Sequence, residues 1–171
     1  MILPKIRDQR FTTLRRGGSL TDDDHHALAV WAAQCAGHVL PYFEEAQPGD
    51  ERPRRAVELT HAWVRGEITM GDARVAAFHA NAAASKLNGA ARFAAYSAGQ
   101  AVVVAHVAAH YLGAAAYAIK AVWAAAGKSG APDAERAEWQ WQIDQLPLRL
   151  KDLVLEDQRN RNDICWNTFN L

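Results

Sequence analysis

Apolar residues recur at steps of three and four along most of the chain, so it reads as a succession of helices. The first opens in "LTDDDHHALAVWAAQCAGHVLPYF", where Thr21 is a suitable N-cap and Asp22, Asp23 and Asp24 set carboxylates against the positive helix end. Trp31, Cys35 and His38 fall on or near its apolar side, and Pro41 is expected to kink or end it before the polar turn from Glu44 to Pro53. A second helix opens at Pro53, carries Ala56, Leu59 and Trp63 at helical spacing, and stops at Gly66. Thr69 followed by Asp72 has capping-box spacing and predicts a third helix to about Leu87.

The stretch from Asn88 to Leu112 predicts a central helix, apolar on every side and therefore surrounded by the others. A fifth helix is expected up to Gly127, then a loop at "KSGAPD", a sixth helix from Pro132 through Trp139 and Trp141, and a seventh from Pro147. The expected architecture is all-α: a single domain of six to seven helices around an Ala-rich central helix. Residues 1–20 read as an extended arm, 21–158 as the helical domain and 159–171 as an irregular tail packed on it. Only Phe11 to Leu14 resembles a strand, and one short strand cannot make a sheet.

Alanine concentrates between Ala56 and Ala137, where it favours helix and lets helix axes approach closely. Phe93 to Ile119 has no formally charged residue, yet its background is alanine with Ser97, Gln100, His106 and His110, which suits a buried core helix better than a membrane span. The N-terminus has no apolar run of signal-peptide length. Cys35 and Cys165 lack CxxC spacing and read as reduced thiols of a cytoplasmic protein.

Charge narrows the partners. Basic and acidic residues number 19 each, so no global field favours nucleic acid. The short basic clusters "LRRGG" and "RPRR" read as a turn and a solvated face. No carboxylate occurs from Ala73 to Gly127, so Arg74, Lys86, Arg92 and Lys120 must reach solvent or acids from elsewhere in the fold.

His106 and His110 are the candidate chemistry. On one helix face, their i, i+4 spacing would let both imidazoles bind one metal ion, with His25, His38, His61 or His79 as further ligands from facing helices. Val107 follows His106, so the HExxH mechanism is absent, and the central helix has no carboxylate for a di-iron site. The plainer reading is a packing seam through Tyr96, Gly99, Val103, His106, His110, Gly113 and Tyr117, with the imidazoles satisfied by hydrogen bonds. No GxSxG elbow or phosphate-binding glycine loop is present, and no cofactor is implied. Among the tryptophans, Trp139, Trp141 and Trp166 lie beside charged residues, and an exposed one would suit a partner anchor.

The motifs "LTDDDHHALAVWAAQCAGHVLPYFEEAQP", "RPRRAVELTHAWVRGEIT", "GQAVVVAHVAAHYLGAAAYAIKAV" and "QWQIDQLPLRLKDLVLEDQRNRNDICW", taken in order, resemble the immunity-five-like helical family of bacterial immunity proteins. The resemblance runs from about Asp8 to Phe169. It implies an all-helical cytosolic protein that binds and neutralises a cognate toxin of a polymorphic toxin system without catalysis. An acidic rim for that partner is expected at Asp22, Asp23 and Asp24 and at Glu44, Glu45, Asp50 and Glu51. The alternative is a helical-bundle metal- or small-ligand-binding enzyme or sensor using the His106/His110 face; the alanine-rich surfaces also suit a homodimer.

Overall fold

The computed structural model describes residues 2–170. Among these, six helices carry the fold: α1 (Asp22–Ala46), α2 (Arg52–Val64), α3 (Met70–Ala84), α4 (Gly89–Val103), α5 (Tyr111–Asp144) and α6 (Leu148–Asn160). The architecture is all-α in one body. α4 packs against α1, α2, α3 and α5, so the central position falls to the helix that is apolar all round.

The predicted starts hold where caps define them. The Thr21 side chain accepts from the Asp24 amide, and Thr69 and Asp72 exchange both bonds of a capping box. α1 runs five residues past Pro41. The proline ring lies on the exposed face and forfeits a single bond, to the carbonyl of Gly37 one turn earlier, while Val39, Leu40 and Phe43 are buried to either side.

The alanine stripe lets α3 and α4 pack closely. A Cβ added to Gly99 on α4 would lie 2.6 Å from Asn81 Oδ1 on α3. At the start of α5, a Cβ on Gly113 would meet Gln100 Oε1 at 2.6 Å, so this glycine allows a neighbour to approach instead of ending a helix. Ser97 closes the same contact by donating to the Ala114 carbonyl at 2.7 Å.

Two expectations are corrected. "KSGAPD" is helical: the expected end of the fifth helix at Gly127 holds, since its φ of 68° and ψ of 172° depart from helical values, but the sixth follows at once as the second part of α5 with no loop between them. The break comes instead in the expected central helix. α4 ends at Val103, Val107 is extended, and a single 3-10 turn (Ala108–His110) leads into α5.

Local chemistry explains that break. Val102, Val103 and Val104 are β-branched and favour helix weakly. The amides of His106 and Val107 both turn back to the Val103 carbonyl. The Val104 carbonyl, which a continuing helix would use internally, accepts from His25 Nε2 of α1 at 2.7 Å, and the Ala109 carbonyl accepts from Arg161 Nη1 at 2.9 Å. Side chains from both ends of the chain thus satisfy the released backbone.

The N-terminal segment is two 3-10 turns (Gln9–Phe11 and Leu14–Arg16) joined to Leu20 by one isolated bridge from Thr13. It lies across the end of the bundle, with buried Phe11 stacked on Tyr111 at 5.2 Å. α6 and the turns after it are secured mainly by side chains. Asp157, buried on α6, accepts from Tyr111 Oη at 2.5 Å and from the guanidinium of buried Arg161.

Candidate functional site

The predicted site residues do not gather in one place. His106 and His110 do not share a helix face, because the α4–α5 connection carries the first and a 3-10 turn the second. His106 Nδ1 faces Met70 Sδ at 3.3 Å, whereas His110 Nδ1 meets Gln100 Oε1 at 2.7 Å. Desolvation, reinforced by the charges of His106, Arg161 and Arg7, pushes His110 down to about 4. The imidazole is therefore neutral at pH 7 and acts as a hydrogen-bonding group of the core.

The other histidines go elsewhere. His38 bonds Glu138 and stacks on Trp141 at 3.8 Å, His79 faces a surface groove, and His61 lies half-buried on α2. Among the described residues, no group of three or more His, Cys, Asp or Glu side chains is placed to hold a metal ion. The i, i+4 metal face is thus removed by the helix break. The thiols are buried, with Cys35 raised well above its ordinary value and Cys165 pushed up to about 12 by desolvation.

His106 instead lines a cavity of about 550 Å³ at the end of the bundle. The N-terminal segment, the start of α1, the α2–α3 connection, the α4–α5 connection and α6 all contribute to it. Trp63 supplies an aromatic wall, packed against the neighbouring rings of His25 and His26 with centroids 4.9 Å from each. Phe11, Ile68, Met70 and Val107 extend the apolar surface, and Arg7, Arg15, Arg16 and Arg65 bring positive charge. Burial lowers His25 despite its bond to Val104, and desolvation with the Arg74, Arg16 and Arg7 charges lowers His106.

The seven acidic candidates do not form one rim. Asp22, Asp23 and Asp24 lie at one end of α1 and Glu44 and Glu45 at the other, about 35 Å apart at the helical rise. Four are already engaged: Asp22 with Arg15, Asp24 with Arg149, Glu44 with Arg54 and Asp50 with Arg52. Asp22 reaches the cavity. Asp50 and Glu51 instead border an open groove of about 700 Å³ between the α1–α2 turn and α3.

Leu59, Asp72, Val75 and His79 also line that groove. Beside them on α3, Phe78 is 65% exposed and Val75 53%, an aromatic and an aliphatic side chain one helical step apart and open to solvent. The signal for Phe78 was in the sequence, because Ala73, Ala77, Ala80 and Ala84 mark the buried stripe of α3 and Phe78 falls off it. Of the tryptophans, Trp139 donates to Gln158 and Trp166 packs on Tyr117 while remaining 43% exposed. No helix among the described residues is long and apolar enough to cross a membrane.

Comparison with known proteins places this arrangement in a family. No curated protein and no solved structure matches the chain. A family model does, across residues 18–149, which includes α1 to α5, the groove and much of the cavity wall. The chain belongs to the family described as Imm-5 like putative immunity protein.

Proposed function

We propose that this protein binds a bacterial toxin in the cytoplasm and neutralises it by occupying the toxin's working surface, without catalysing a reaction. The family match across residues 18–149 is the observation that carries the reading. Inhibition of this kind needs a rigid scaffold, a few desolvated anchors and a charged border that speeds encounter.

The groove side of the molecule supplies those parts. Phe78 and Val75 are the anchors, on a helix capped at its start and packed on α2 and α4. Asp50, Glu51 and Asp72, alternating with Arg52 and Arg55, form the border. The acids at the opposite end of α1 stand too far away to share it.

Co-expression with any toxin found encoded beside it tests the reading. Growth should be rescued and the two chains should elute together at a fixed stoichiometry. Phe78→Ser should weaken that complex by roughly 30-fold or more, the range of a hot-spot truncation, while leaving the fold intact. Purification of the toxin free of this chain, with no rescue of growth, would overturn the proposal.

A further inference from the structure

The cavity beneath the N-terminal segment is independent of the groove and of the toxin reading. Its charged groups do not cancel. Asp8 is held by Arg10, Asp22 by Arg15, and Asp157 by Arg161 and Tyr111, so each carboxylate on its wall already has a cation of this chain. Arg65 is paired with Glu67. Arg7 and Arg16 also line the cavity, and neither forms an ion pair among the described residues.

The remaining wall is apolar and partly flat. Trp63 packs against two imidazoles, and Phe11, Ile68 and Val107 continue the surface toward the bundle. The volume, about 550 Å³, lies within the range of small-molecule sites. Positive charge at one border and an aromatic wall within select for a molecule that carries both complements.

The geometry points to a binding site for a small organic anion: a carboxylate, sulfonate or phosphate head group on Arg7 and Arg16, and a planar apolar body against Trp63. Guanidinium groups suit that head because they present paired N–H donors to anionic oxygens. The apolar body is what the cavity adds to charge alone. Inorganic sulfate would have the head group and lack the contact with Trp63.

The probe is 8-anilinonaphthalene-1-sulfonate, an aromatic sulfonate that fluoresces when shielded from water, titrated into the folded full chain at neutral pH and low salt. One saturable site is expected. The double variant Arg7→Ala, Arg16→Ala should raise its Kd at least tenfold, and Trp63→Leu should also raise it. Lys128→Ala, Arg136→Ala removes the same charge away from the cavity and should leave Kd within twofold. The uncharged analogue N-phenyl-1-naphthylamine should bind at least tenfold more weakly than the sulfonate. Arg7 and Arg16 are exposed, so circular dichroism should show their variants folded as the parent. Absence of saturable binding would overturn the assignment, as would equal affinity for the uncharged analogue or equal weakening by the two double variants.

Discussion

Removing the Asp157 carboxylate should destabilise the fold more than any surface change. Asp157 and Arg161 are 3% and 4% exposed, and the carboxylate receives the Arg161 guanidinium through both oxygens together with the Tyr111 hydroxyl. In Asp157→Ala the guanidinium keeps one good acceptor, the Ala109 carbonyl, and its charge stays buried without the carboxylate that contacts it. Breaking a buried pair from one side costs about 3–5 kcal/mol, and the orphaned hydroxyl adds to that. Domains of this kind are stable by only about 5–15 kcal/mol, so the loss is a large fraction of the total.

Urea unfolding followed by tryptophan fluorescence is the assay. Trp31 is buried, donates to the Gln142 carbonyl at 2.7 Å and lies 5.8 Å from the Tyr111 ring, so it reports on this region. With a slope of about 2 kcal/mol per molar urea, the midpoint should fall by about 2 M. Replacing both charges, as Asp157→Leu with Arg161→Met, removes the unpaired ion and should recover at least half of the loss. A single-variant cost below about 1 kcal/mol, or a double variant less stable than Asp157→Ala, would refute the reasoning.

Acid should weaken the fold before carboxylates titrate. His110 is depressed from 6.5 to about 4, so the unfolded chain binds the extra proton between those values; the stability it contributes is complete above pH 6.5 and is lost as pH falls toward 4, about 3 kcal/mol at most. A denaturation series from pH 7 to 4 should show this decline, and His110→Gln should reduce it. Gly113→Ala should cost about 1–3 kcal/mol because its Cβ would meet Gln100 Oε1, the partner of His110, at 2.6 Å. Gly130→Ala, whose Cβ finds ordinary contact at 3.5 Å, should instead raise stability by about 0.5 kcal/mol; thermal melts of the two variants should move in opposite directions. Phe78→Ser should leave the melting temperature within a few degrees while weakening the toxin complex, since 65% of the residue is already in water.

The helices were legible because their signals are local. Thr21 and Thr69 name two starts through their own caps, and the alanine stripe of α3 marks its buried face. The break after Val103 was not legible in the same way. It depends on His25 and Arg161, distant in sequence, donating to the carbonyls of Val104 and Ala109. Without those donors, "VVVAHVAAHYL" reads as continuous helix, and His106 and His110 appear to share a face. The cavity likewise draws on five separated segments, so no short motif could announce it. How the acidic candidates divide was not legible for a simpler reason: helix length separates Asp22 from Glu45, and arginines of the same chain hold four of the seven carboxylates.

Growth under toxin expression measures the proposed stoichiometric neutralisation most directly. Cells producing a toxin that this chain neutralises should grow when it is co-produced, and protection should fall with Phe78→Ser in proportion to the loss of the purified complex. Undiminished toxicity in the presence of folded, abundant protein would contradict the account.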